Sequence, residues 1–193
     1  MTADSVLALF RSRGALLEGH FVLTSGLHSS GYLQCALVLQ HPVDAQALGT
    51  ALAAKVTAAG YKVDVVLSPA MGGLIIGHEV GRALGVRAIF AERVEGTLTL
   101  RRGFRIAPGE RVLIVEDVVT TGKSTLETVA VAEHAGATVV AAGSIINRGG
   151  GDAMTVPYVS LAEARFPTYA PDALPDHLRG VPAIKPGSRP GQQ

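Results

Sequence analysis

From residue 63 onward, short apolar runs alternate with longer stretches in which apolar side chains recur every three to four positions. VDVVLSPA (63–70), VRAIFAE (86–92), RVLIVED (111–117) and ATVVAAGSIINR (137–148) are dominated by Val, Ile, Leu and Ala. Strands of that kind are buried on both faces, as in a parallel sheet. Between them, GGLIIGHEVGRALG, stopped at Gly85, and GKSTLETVAVAEHAG (122–136) have helical spacing. The alternation predicts βαβ units and an α/β fold, a central mostly parallel sheet flanked by helices. Ligands of such sheets sit beyond the carboxyl ends of the strands. Residues 68–73, 92–93, 116–122 and 147–148 are therefore the places to look for function.

The first sixty residues are patterned differently. Residues 3–17 read as an amphipathic helix with Val6, Leu7, Leu9 and Phe10 on one side. The stretch GHFVLTSGLHSSGYLQCALVL reads as two short strands joined by a turn at 25–30. Pro42 opens a helix expected to reach about Ala59 and to end at Gly60. The segment 94–110 breaks the later alternation, with Gly, Thr and Arg but no helical period. A loop of that length in a compact domain is usually functional or mobile. The tail from Pro171, with Pro175, Pro182, Pro186 and Pro190, is expected to be extended or frayed. A length of 193 residues suits one domain, 1–193, with the 94–108 loop and the 171–193 tail as its irregular parts.

Composition narrows the class of function. Hydrophobic residues make up 48% and charged residues 17%, which is a globular balance. A net charge of +1 gives no electrostatic footprint for nucleic acid. The one cysteine, Cys35, excludes an internal disulfide and a Cys-based zinc site and points to a reducing compartment. There is no signal peptide and no apolar run of membrane-spanning length, so a cytoplasmic protein is expected, with neither nucleic-acid nor membrane partners. Arg101, Arg102 and Arg105 concentrate positive charge in the irregular segment, either as a solvated loop or as an anion-binding one.

The segment VLIVEDVVTTGKST (112–125) carries the clearest chemistry. A buried strand ends in two carboxylates, Glu116 and Asp117, and a Thr- and Gly-containing loop leads into a helix. The first N–H groups of a helix have no internal partner, and its dipole adds positive charge there. Gly122 lets the backbone approach an anion closely, and Thr120, Thr121, Ser124 and Thr125 can add hydroxyl donors, which makes a phosphate cradle. Carboxylates instead accept hydrogen bonds from sugar hydroxyls or hold a divalent cation. Diol acceptors followed by a phosphate nest fit a ribose 5-phosphate. A P-loop would need glycine at 117, where Asp117 would repel a triphosphate. The glycine set Gly72, Gly73 and Gly77 does not meet the dinucleotide fingerprint.

With those residues in view, EDVVTTGKS (116–124) resembles the phosphoribosyl pyrophosphate (PRPP) signature of type I phosphoribosyltransferases. FVLTSGLHSSGYLQ (21–34), LSPAMGGLIIG (67–77), FAERVEGTLTLRRGF (90–104) and SIINRGGG (144–151) resemble, in turn, the hood, the pyrophosphate turn, the mobile-loop region and the base-reading Arg of orotate phosphoribosyltransferases. The resemblance covers most of residues 1–170. It implies a type I phosphoribosyltransferase-like fold with a small hood within residues 1–40 and a mobile loop at 94–108. It implies transfer of ribose 5-phosphate from PRPP to orotate with Mg²⁺, the metal held through PRPP with Glu116 and Asp117 as further candidates, in a homodimer that shares loop residues. It implies PRPP contacts from Arg93, Arg101, Glu116, Asp117, Val118, Val119, Thr120, Thr121, Gly122, Lys123 and Ser124, with Glu116, Asp117 and Arg102 catalytic. Orotate contacts fall to Thr120, Arg148, Tyr32 and Ser25. Relatives often have Lys at the positions of Thr24 and Gly72 and Lys and His in the loop; here Arg101 and Arg102 are the only loop cations between Arg93 and Phe104. A purine or uracil phosphoribosyltransferase, or a non-catalytic PRPP-sensing regulator, are the alternative readings.

Overall fold

The structure is a computed structural model that describes residues 1–23 and 26–185. A six-stranded sheet forms its centre, built from β3 (Val65–Pro69), β4 (Arg87–Val94), β5 (Thr97–Leu100), β6 (Arg111–Val119), β7 (Thr138–Asn147) and β8 (Tyr158–Glu163). The strand order is β5-β4-β3-β6-β7-β8, and every pairing is parallel except β4 with β5. The expected mostly parallel α/β sheet is therefore present.

Both faces of this sheet are covered, which explains the unbroken apolar runs. Val66, Leu113, Val115 and Ile145 pack with Val6 and Phe10 of α1 (Ala3–Ser12), Leu48, Leu52 and Val56 of α3 (Pro42–Ala58), and Ile76 and Val80 of α4 (Gly73–Leu84). The alternate side chains Val65, Leu67, Val112 and Ile114 face the opposite way, toward Val129 and Ala132 of α5 (Lys123–His134). The pleat sends successive residues to opposite faces, so a strand sandwiched between helix layers must be apolar at every position.

The chain moves from β3 to β4 on one side of the sheet and then returns to place β6 on the other side of β3. The gap between the carboxyl ends of β3 and β6 is thus a topological switch point, the usual ligand crevice of an open α/β sheet. A second, three-stranded sheet of order β1-β2-β9, from Leu16–Val22, His28–Leu33 and Thr168–Tyr169, forms the hood. The short helix α2 (Ala36–Leu39) connects it to α3.

Four boundaries differ from the pattern-based expectation. Helix α1 stops at Ser12, and Leu16 and Leu17 belong to β1. Gly14 turns the chain at φ +64°, a conformation open to glycine, so apolar spacing past it was not helical. The 94–108 segment carries β5, which pairs with β4 through Ala91–Leu100, Glu92–Thr99, Arg93–Leu98 and Val94–Thr97. Strand β8 was not anticipated. The tail is not simply extended: Leu178 is buried, and Ile184 exchanges backbone hydrogen bonds with β1, from Val22 N–H (2.9 Å) and to His20 O (2.8 Å). Pro186 and Pro190 lie outside the described residues.

Candidate active site

Strand β6 runs past the end of β3 and delivers Glu116 and Asp117 to the switch point. Glu116 is buried, at 8% exposure, and lines a pocket of about 110 Å³ with residues 118–125. Asp117 accepts a 2.7 Å hydrogen bond from the Val118 N–H. Across the crevice lies the turn after β3, where the Ala70–Met71 peptide is cis and a Cβ on Gly72 would stand 2.7 Å from Asp117 Oδ1. The two acids are close enough to shift one another's ionisation. Burial, and then the charge of Asp117, push the Glu116 carboxyl up to about 9. Burial also raises Asp117, although the Val118 N–H opposes it. Two adjacent carboxyls in a desolvated site favour holding one proton between them.

The loop that follows is shaped as a cradle. Gly122 sits at the N-cap of α5 with φ +80° and brings no side chain to cap the helix. Only a long 3.4 Å contact joins Lys123 N–H to Thr121 Oγ1. The first-turn amides are thus left for an anion. The loop is supported from behind by the 3₁₀ turn at Gly150–Ala153: a Cβ on Gly150 would stand 2.6 Å from Gly122 N, and one on Gly122 would overlap Met154 Cε. Neither Gly150 nor Met154 was visible as a site element in sequence, because a packing partner leaves no local pattern.

Base-side candidates gather around Arg148, directly after β7, whose N–H donates to Val119 O at 2.8 Å. Burial lowers the Arg148 pKa, and Cys35 and Tyr32 lie close enough to oppose that shift. The Cys35 thiol, raised well above its usual range first by burial and next by Asp117, lies buried close to Asp117. Tyr32 is half-buried and packs on Phe21 with ring centroids 5.8 Å apart. Ser25 lies outside the described residues, as does Thr24. His28 meets His20, whose Nδ1 is 2.8 Å from Val181 O, in keeping with a structural histidine.

The structure does not bring the loop arginines to the acids. β4 is separated from β6 by β3, roughly 10 Å across at ordinary strand spacing. Arg102, at φ +57°, forms a two-pronged ion pair with Glu92 (2.8 and 2.7 Å) and lies 5.8 Å from the Phe90 ring centroid. Arg93 is tied to Glu127 and to Gly96 O. Lys123 also faces Glu127, at 3.9 Å.

Among the described residues no cluster of three or more His, Cys, Asp or Glu is positioned to enclose a metal. Two carboxyls beside a phosphate cradle fit Mg²⁺ instead, an ion that keeps waters and binds through one or two carboxylates plus substrate phosphates. A roomier cavity of about 630 Å³ lies between β5 and α5, lined by Leu98, Leu100, Ala130 and Val131. It holds neither acid and none of the cradle, so the small crevice is the better site. No helix among the described residues is long and apolar enough to cross a membrane.

Comparison with known proteins agrees with this geometry. A family model described as phosphoribosyl transferase domain matches residues 37–160. An orotate phosphoribosyltransferase of Novosphingobium aromaticivorans is 53% identical over 98% of both chains. One from Erythrobacter litoralis is 54% identical over 98% of this chain and 99% of its own. Among solved structures, the orotate phosphoribosyltransferase of Aeropyrum pernix superposes with a TM-score of 0.66 at 28% identity, covering 82% of this chain and 93% of its own.

Proposed function

The chain belongs to the phosphoribosyltransferase family, and since its half-identical relatives are orotate phosphoribosyltransferases, we propose that it transfers the ribose 5-phosphate of PRPP to orotate, giving orotidine 5′-monophosphate and pyrophosphate for UMP synthesis. The observation that carries this reading is the acid pair at the switch point followed at once by an uncapped helix N-terminus.

The amides and hydroxyls of residues 120–124 hold the 5-phosphate. Glu116 and Asp117 accept hydrogen bonds from the ribose hydroxyls, and the single negative charge that the proton-sharing pair retains favours the cationic sugar that develops as the C1–oxygen bond to pyrophosphate breaks. The base nitrogen then forms the new bond to C1 as its N–H bond breaks, the proton passing to the departing pyrophosphate. Arg148 reads the orotate carboxylate through its planar fork, while Tyr32 and Thr120 border the ring. Mg²⁺, held through PRPP with Glu116 and Asp117 as candidate ligands, supplies charge neutralisation for the departing pyrophosphate. Arg93, Arg101 and Arg102 add to that neutralisation, and no covalent nucleophile is required.

Within one chain the 101–102 pair follows β5, three strand positions from β6 and its acids. That distance supports a homodimer in which each loop serves the neighbouring site. The lone thiol Cys35, buried and unpaired, suits the reducing cytoplasm.

The test is consumption of PRPP that depends on both orotate and Mg²⁺, followed as loss of orotate absorbance. Turnover with adenine or uracil in place of orotate, or PRPP binding without turnover, would overturn the assignment.

A further inference from the structure

The guanidinium of Arg148 is held in an unusual way. Its Nε is fully buried and has no hydrogen-bond partner among the described residues. A desolvated donor left unpaired is unfavourable, so its position needs another cause. An aromatic ring stands beside it. The Arg148 guanidinium carbon lies 5.5 Å from the centroid of Phe166, within the range of a cation–π contact.

The ring is itself fixed. Phe166 follows β8, and the N–H of Ala164 donates to Asn147 O at 3.0 Å, tying this segment to the residue just before Arg148. On the hood side Phe166 lies against bare backbone: a Cβ on Gly31 would stand 2.6 Å from its Cγ and overlap other ring atoms. Gly31 is buried in β2, next to Tyr32. Three separate segments, 31–32, 148 and 166, therefore meet at one place. A guanidinium held over a ring face by a cation–π contact keeps its N–H groups free for a planar anion.

We propose that Phe166, seated in the slot made by Gly31, is a positioning residue that orients Arg148 and thereby sets selectivity for a carboxylate-bearing base. The proposal rests on Arg148 being the orotate reader. Phe166→Leu keeps apolar bulk and removes the ring; Phe166→Tyr keeps the ring. Steady-state kinetics should show KM for orotate rising on the order of 10-fold in Phe166→Leu, with KM for PRPP changed less than about 2-fold, near-parental behaviour in Phe166→Tyr, and a melting temperature lowered by only a few degrees. Inhibition by uracil, which lacks the carboxylate, should be unaffected.

Gly31→Ala gives an independent route to the same ring, and it should reproduce the orotate-selective loss if Phe166→Leu does not fold. Equal losses toward orotate, PRPP and uracil would overturn the proposal, since a general packing defect acts that way. Parental orotate affinity in Phe166→Leu, alongside orotate-selective loss in Arg148→Ala, would overturn it while leaving the proposed function intact. Absence of orotate turnover in the parent protein would instead remove the proposed function.

Discussion

Gly72 and Asp117 face each other so closely across the crevice that a methyl group on Gly72 would stand 2.7 Å from Asp117 Oδ1. The contact joins the turn after β3 to the end of β6, so it spans the switch point itself. Gly72 has helical φ and ψ and is exposed, so alanine fits its backbone and only the carboxylate must yield. Gly72→Ala should lower kcat/KM for PRPP on the order of 10-fold, because the Asp117 carboxylate must shift to clear the methyl group. The melting temperature should stay within a few degrees. Parental turnover would mean that the position of Asp117 is unimportant.

Gly122 is constrained differently, by its own backbone. At φ +80° any other residue is strained, and its Cβ would also overlap Met154 and stand 3.1 Å from Gly150 O. Gly122→Ala should cost about 1–3 kcal/mol of stability and raise KM for PRPP. Trimming Met154 to Ala as well should recover part of the stability but not the strain of the turn. Chemical denaturation of the two variants measures both effects, and a Gly122→Ala protein as stable as the parent would contradict the account of this loop.

The acid pair makes a prediction about pH. In the free protein the Glu116 carboxyl sits at about 9, above its ordinary 4.5, because it is buried beside Asp117. A folded-state value above the unfolded one contributes stability below about 4.5 that is lost as pH rises through 9. Glu116→Gln mimics the protonated form throughout. It should therefore match the parent near pH 4.5 and exceed it in denaturant midpoint near pH 9, while losing activity. A Gln variant less stable than the parent at high pH would show that the carboxylate is well solvated there.

What could be read from sequence follows from how local each signal is. Glu116, Asp117 and the 120–124 loop are contiguous, so their chemistry stood in one string of residues. The buried strands were equally plain, because β3 and β6 lie between two helix layers and tolerate almost no polar side chain. β5 was hidden although TLTL alternates, with Leu98 buried and Thr97 and Thr99 exposed. Four residues between Gly96 and a run of arginines are too few for the pattern to register. The Gly31–Phe166–Arg148 contact was invisible for the opposite reason: its members are far apart in the chain, and only tertiary packing joins them.

Arg102 is gripped by both oxygens of Glu92, yet its guanidinium is largely exposed, and solvent screening weakens an ion pair of that kind. The grip is therefore weak enough to be exchanged for pyrophosphate. Arg102→Ala should lower kcat on the order of 10²–10³-fold without changing the melting temperature, because it removes an interaction made late in the reaction. Asp117→Asn should be similarly inactive for a different reason, having lost a ribose contact. If each loop serves the neighbouring chain, mixing the two inactive proteins restores activity. Random exchange makes half of the dimers mixed, each with one complete site, so about a quarter of the parental rate should return. A mixture as inactive as its components, after exchange has been verified by mass, would show that Arg102 does not work across the dimer.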